Sequence, residues 1–288
     1  METVKHPKIA ILILAHKNEN QVNRLIHHLA KDFDVYIHID TRSGIKIQPK
    51  NNIHVYRKFK VYWGSFDNLK STLFLLREAH KKHYNRYILI SGQDLPIKSN
   101  AEISTFFANN SYEYIELNEL PKPEWHTENG GFDRVSRYYP NRITLGNNRL
   151  IFKILFFIET QFFRLLLKVK KRPINYAFAG GEYWMNLSGN CVNRIFDYMA
   201  RDKKFLKRFK WTYIPEELFF QTAIHTIGGL KVISNSLRFV NWVQGALSPR
   251  TLIQDDYEKI IHSDMLFARK FDENEDRNII DSILEKIK

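Results

Sequence analysis

Seven consecutive apolar residues, Ile9 to Ala15 in KIAILILAH, stop at His16 and Lys17. The run is too short to span a bilayer, which needs about 20 apolar residues. It has no polar alternation, so it reads as a strand buried on both faces. The next segments limit the partners of such a strand. NENQVNRLIHHLAKDF puts Val22, Leu25, Ile26 and Leu29 at helical spacing, and DVYIHID is a second apolar strand. NIHVYR predicts a third strand. SFDNLKSTLFLLREAHKKH predicts an amphipathic helix with Leu69, Leu73, Leu76 and Ala79 on one face. RYILISGQDLPI predicts another buried strand. SNAEISTFFANN predicts a helix capped by Ser99 or Asn100, with Glu102 in its first turn. Residues 1–110 therefore read as a doubly wound α/β half. Ligands of such sheets bind beyond the carboxyl ends of the strands. Those ends are Ala15-His16, Asp40-Thr41 and Gly92-Gln93-Asp94.

The remainder, 111–288, is less regular, and we read the whole as one domain. LPKPEWHTENGGFDRVSRYYP is loop-rich. NRLIFKILFFIETQFFRLLLKVKKR is apolar and then basic. FAGGEYWMNLSGNCVNRIFDYM reads as turn, strand and helix. WTYIPEELFFQT sets Glu216 and Glu217 at the start of a helix that ends before Gly228-Gly229. LKVISNSLRFVNW is strand-like. The C-terminus reads as helix, a short loop holding Arg269-Lys270, and a final helix.

Chemistry is bounded by charge and by missing motifs. Lys and Arg total 44 against 31 acids, a formal charge of +13, so the surface attracts anions. The basic residues are scattered, with no recognition helix or stacking sheet, which argues against nucleic acid. The single cysteine, Cys191, excludes an internal disulfide and suits a reducing compartment. With no signal peptide evident, a cytoplasmic protein is expected. There is no glycine-rich phosphate loop, no His-Glu-x-x-His and no Cys-x-x-Cys. His27 and His28 are adjacent on a helix and cannot share an ion. The literal Asp-x-Asp, Asp32-Phe33-Asp34, precedes its strand and so lies at the wrong end of the sheet for a metal site. At the right end stands Ser91-Gly92-Gln93-Asp94, with one acid, readable as a ligand contact or as a turn residue before Pro96. Without a metal, a leaving diphosphate needs fixed cations. Arg250, Arg269 and Lys270 are the candidates, beside the alternative of a merely solvated basic face.

SGQDLPIKSN, AGGEYWMN, IPEELFFQT and LFARKFD, in this order, resemble the core-2/I-branching β-1,6-N-acetylglucosaminyltransferases and peptide O-xylosyltransferases. The likeness runs from about Ile9 to Asp272. Between 118 and 175 only Arg134 and Tyr138 align. The resemblance implies a GT-A-type α/β fold, a mixed central sheet flanked by helices. It implies inverting, metal-independent transfer from a UDP-sugar, with no cofactor. The second acid of the family's Pro-x-Glu pattern is the base, which is Glu217 here. Glu216 is then expected at the surface or behind the base. The metal-replacing cations fall on Arg250 and Lys270, with Arg269 beside them, and Ser248 falls on a diphosphate contact. Leu14, Asp40 and Tyr62-Trp63-Gly64 match nucleotide-binding strand ends, with Asp94 beside them. Tyr183 and Trp184 match positions lining the donor sugar or acceptor. GlcNAc is the first expectation for the donor sugar, xylose the alternative, and a glycan or lipid-linked glycan the acceptor. Animal members carry a membrane span and disulfides; this sequence shows neither, and so resembles bacterial homologues.

The stretch IFKILFFIETQFFRLLLKVKKR is interrupted by Lys153, Glu159, Gln161 and Arg164, and makes a poor span. It reads either as an interfacial helix ending in Lys168, Lys170, Lys171 and Arg172, or as a helix buried on the sheet. Peripheral contact with an anionic membrane is the corresponding expectation. A basic binding module on a degenerate transferase fold is the alternative of another class.

Overall fold

The computed structural model describes residues 7–125, 128–139, 172–243 and 248–288, together with positions 154, 157, 158, 161 and 165. The Ile9–Ala15 run is β1, and its neighbours follow the expected pattern. α1 (Glu19–Leu29) leads to β2 (Asp34–Ile39), then β3 (Ile53–Tyr56), α2 (Phe66–His80) and β4 (Arg86–Ser91). β5 (Asp94–Pro96), α3 (Asn100–Ala108), β6 (Glu113–Ile115), β7 (Asn118–Glu119) and α4 (Phe132–Ser136) come next. β8 (Ala179–Gly180), β9 (Met185–Ser188), α5 (Gly189–Arg201), α6 (Lys203–Arg208) and α7 (Glu216–Ile227) follow. β10 (Val232–Ile233), β11 (Arg238–Val240), α8 (Tyr257–Ile261), β12 (Phe267–Arg269) and α9 (Arg277–Lys286) complete the described elements.

The main sheet has the order β10-β6-β9-β4-β1-β2-β3. β1 pairs in parallel with both β2 and β4, whereas β9 runs antiparallel to β4 and β6. The sheet is thus mixed and draws strands from both halves of the sequence. Successive β1 side chains face opposite sides. Ile9, Ile11 and Ile13 pack with α1, α8 and α9, while Ala10 and Leu12 pack with α2, α5 and α7. Burial on both faces is why the run lacks polar residues.

The strand order turns at β1, since the connection to β2 leaves on one side and β4 returns on the other. This is the switch point at which open α/β sheets bind ligands. Because β9 is antiparallel, its leading residues, 182–184, lie at the same sheet edge as the ends of β1, β2 and β4. Glu116, just past β6, lies there too.

A three-stranded sheet, β11-β12-β5, abuts this edge, with Arg269 opposite Asp94. Here the structure corrects two sequence expectations. The loop expected at Arg269 is instead β12, a three-residue strand paired on both sides. LKVISNSLRFVNW divides into β10 and β11, which belong to different sheets.

α3 starts on Ser99, whose hydroxyl accepts from Glu102 N while the Glu102 carboxylate accepts from Ser99 N at 2.7 Å. Asp32 and Asp34 lie at the amino edge of the sheet. Asp32 accepts from Asn100 Nδ2 at 2.8 Å and Asp34 from Tyr84 OH at 2.5 Å, both structural bonds. Cys191 is fully buried.

Candidate active site

A small crevice at the switch point is lined by Leu14, Ala15, His16, Lys17, Ser91, Gly92 and Gln93. Gly92 has side chains packed directly against it: a Cβ there would sit 2.8 Å from Val22 Cγ2 and 3.1 Å from Ala15 Cβ. Asn18 occupies the left-handed region (φ 62°), which asparagine tolerates. From there its amide donates to Asp272 at 2.8 Å, and Lys17 pairs with the same carboxylate at 2.6 Å. Gln21 is wholly buried on α1 and donates to the carbonyls of Gly92 (3.0 Å) and Phe271 (3.2 Å). It ties the crevice to the end of β12.

Just past β12, Lys270 Nζ donates to Ser248 Oγ at 3.2 Å, and its carbonyl accepts from Leu252 N at 2.8 Å. Burial lowers the Lys270 pKa, and Lys17 and Arg269 lower it further. Crowded cations with depressed affinity for protons favour an incoming anion. Arg250 is partly exposed; its guanidinium bonds Asp256 and its backbone N donates to Asn241 O at 3.0 Å. Arg269 points the other way from Lys270. Its guanidinium lies 4.0 Å over the Trp184 ring and 3.8 Å from Asp94.

Asp94 has no exposed surface and accepts from Ser91 N (3.1 Å) and Ser91 Oγ (2.8 Å). It lies beneath the crevice and shapes its wall rather than facing it. Tyr183, expected to line the sugar region, is likewise buried, with its hydroxyl bonded to Thr72 and to Asn68 O.

At the end of β2, Asp40 accepts from Arg42 Nη2 (2.7 Å), Arg42 Nε (3.0 Å) and Val61 N (2.9 Å). Burial alone would raise its pKa, but these bonds hold it down to about 2. Arg42 in turn stacks 4.5 Å over Tyr62. The chain then crosses the sheet edge. Trp63 is exposed and meets the Tyr213 ring edge-on, and Gly64 O accepts from Ile214 N at 3.0 Å. So Tyr62 belongs to the Asp40 end, while Trp63 and Gly64 brace the turn that leads into α7.

That turn positions Glu217. Arg134, 3% exposed, donates from Nε to Tyr213 O (3.0 Å) and from Nη2 to Ile214 O (2.6 Å). Its Nη1 lies 3.1 Å from Glu217 Oε2. A third of the Glu217 side chain stays exposed. Burial raises the Glu217 pKa, Arg134 opposes this, and Glu182 and Glu116 add to the rise. Glu216, one residue earlier, turns inward and is 3% exposed, which excludes the surface and leaves the other of its two expected places. Its Oε1 accepts from Asn68 at 2.8 Å, and Oε2 has no partner among the described residues. Burial lifts its pKa to about 7.

The glycines of AGGEYW let α7 close on the sheet edge. A Cβ at Gly181 would come within 2.0 Å of Glu116 O, and the amide of Gly181 donates to Glu217 O at 3.0 Å. From there Glu182 and Trp184 lead back to Arg269 and Lys270. Glu217, Trp184, Lys270, Ser248, Asp40 and the crevice thus share the carboxyl edge, while Asp94 and Tyr183 support it from inside. Sequence reasoning missed Lys17 and Gln21 and gave Arg134 no role. The one available signal was Gln21 on the apolar face of α1. Among the described residues, no group of three or more His, Cys, Asp or Glu could hold a metal.

The family model of the Core-2/I-Branching enzymes matches residues 9–266, and this chain belongs to that family. It is therefore a glycosyltransferase. It is also similar to Xylosyltransferase sqv-6 of Caenorhabditis briggsae. The two are 24% identical over 324 aligned positions, which cover 98% of this chain and 37% of that protein. Enzymes of the family have a GT-A-like fold and act without a metal ion.

Proposed function

We propose that the chain transfers a sugar, GlcNAc as first choice, from a UDP-sugar to a glycan hydroxyl with inversion, giving a β-linkage. Glu217 carries this reading: it is the part-exposed carboxylate at the sheet edge, oriented by a buried arginine, while its twin is turned into the core. An acceptor hydroxyl is too weakly acidic to attack unaided, and Glu217 removes its proton as the new bond forms. Its raised pKa gives the carboxylate more affinity for that proton. The anomeric carbon gains oxocarbenium character as the diphosphate leaves. Lys270, Ser248 and Arg250 receive the developing charge, with Lys17 beside them, in place of a metal. Leu14, Asp40 and Tyr62 hold the nucleotide end. Trp184 and Trp63 border the sugar and acceptor. The similarity to a protein named as a xylosyltransferase keeps UDP-xylose as the second donor.

The test is a panel of UDP-sugars, with and without EDTA, on wild type, Glu217→Gln and Lys270→Ala. One donor should bind regardless of EDTA. Glu217→Gln should keep that binding and lose about 10²–10⁴-fold in turnover. Lys270→Ala should weaken donor binding by roughly 10–150-fold, the loss of one charged hydrogen bond. Near-normal turnover in Glu217→Gln would refute the assignment of the base. Donor binding with no turnover on a broad acceptor panel would favour a binding module on a transferase fold.

A further inference from the structure

Arg172, the last cation of the basic run KVKKR, is 4% exposed, which corrects the expectation that it ends an interfacial helix. Its guanidinium donates to the carbonyls of Arg137 (3.1 Å) and Trp211 (2.9 Å). The stretch before it, on which membrane contact was expected, lies almost wholly outside the described residues. Among the described residues, no helix is long and apolar enough to cross a membrane.

The polar group that stands out is an amide on α1. Gln21 has no exposed surface and shares the buried side of the helix with Val22, Leu25, Ile26 and Leu29. An amide in such a place is costly unless its donors and acceptors are met. Both protons and both lone pairs are used here. Nε2 donates to Gly92 O (3.0 Å) and Phe271 O (3.2 Å), and Oε1 accepts from Glu273 N (2.9 Å) and Asn18 Nδ2 (3.3 Å). Every partner belongs to the candidate site or adjoins it. Gly92 lines the crevice, Asn18 follows Lys17, and Phe271 and Glu273 flank Asp272 directly after Lys270.

Lys17 and Lys270 are close enough to repel: after burial, Lys17 is the main cause of the lowered Lys270 pKa. Left free, two such cations move apart. Asp272 holds Lys17 at 2.6 Å and accepts from Asn18 Nδ2 at 2.8 Å. Gln21 holds the backbone on either side of Asp272 and joins it to the crevice wall.

We propose that Gln21 is a positioning residue of the transfer: by fixing the turns that carry Lys17 and Lys270, it sets the gap between two cations that grip the leaving diphosphate. Cations already set at the right spacing need no rearrangement as the charge develops. Methionine would fill a similar volume without those bonds and so release the turns. This inference rests on the proposed function.

The experiment is titration of the full chain with UDP and with uridine, on wild type, Gln21→Met and Asn18→Gly, below each variant's melting temperature. Gln21→Met should weaken UDP binding by at least about tenfold, the scale of one charged hydrogen bond, and leave uridine binding within about twofold. Asn18→Gly keeps the left-handed turn but cuts the side-chain bonds to Gln21 and Asp272, so it should show the same selective loss at roughly threefold or more. Lys17→Met should cost less in the Gln21→Met background than in wild type, because both act through one contact. UDP affinity within about twofold of wild type in Gln21→Met, equal losses of UDP and uridine, or full additivity with Lys17→Met would overturn the proposal. An amide that serves stability alone gives one of these results. Where Gln21→Met does not fold, Asn18→Gly decides by the same selectivity for UDP over uridine. No UDP binding by wild type would overturn the proposed function, and this inference with it.

Discussion

Glu216 and Glu217 differ by about 100° around one helix turn, and that rotation separates a buried acid from the part-exposed one proposed as the base. The sign of each group's effect follows from its surroundings. The pKa of Glu216 is raised from 4.5 to about 7, so its protonated form fits the fold. Its stabilising effect is full below about pH 4.5 and is lost as pH rises through 7, a change of about 3 kcal/mol. Glu216→Gln should therefore match wild type in denaturant unfolding at about pH 4 and be about 1–3 kcal/mol more stable at about pH 8. For Glu217, Arg134 opposes the upward push of burial. Arg134→Met should raise the Glu217 pKa further. The acid limb of kcat/KM should then move to higher pH, which a rate profile from pH 5 to 9 would reveal. The pair itself was legible from Pro215 and the apolar run after it. Which acid faced inward was not, because Asn68 and Arg134, which take the two carboxylates, come from distant segments.

Elements with a clear apolar run or period were readable, whereas the short strands that place the cations were not. β1 and β2 are short apolar runs and α1 and α2 carry a helical apolar spacing, so each is readable alone. β5, β11 and β12 have three residues each, too few for any period, and exist because they pair with one another. Alternation along β12 then sends Arg269 to Trp184 and Asp94 and leaves Lys270 toward Ser248. The sequence pairs Arg250 with Lys270 and sets Arg269 only beside them, and the direction in which Arg269 points was not readable from that adjacency. At α3 the capping box was readable from Ser99 and Glu102, and Ser99→Ala should cost about 1 kcal/mol in chemical denaturation. Gly181→Ala should do more harm. Its Cβ would collide with the Glu116 backbone, so about 1–3 kcal/mol of stability should be lost, along with activity as the base shifts.

Over the whole molecule, the last helix belongs to the first half's core. Ile279, Ile280 and Ile283 of α9 are fully buried with β1 and α1, and Arg24 pairs with Asp281. Removing residues 277–288 would forfeit roughly 5–9 kcal/mol of apolar burial, comparable to the entire stability of a typical domain. The shortened chain should be insoluble or unfolded by circular dichroism at 25 °C. The C-terminal return was invisible to local pattern, since nothing near Ile279 in the sequence names α1 as its neighbour. The bond from Lys17 to Asp272 spans 255 residues. On a ribosome adding about 5–20 residues per second, the first of these is made roughly 13–50 s before the second. A nascent chain that has emerged as far as Ile227 already carries the proposed base and the residues that line the crevice, yet lacks Ser248, Lys270 and Asp272. On the proposed assignment, competence to hold a donor therefore arrives only once Asp272 has emerged, and translation products that stop before it should be catalytically silent.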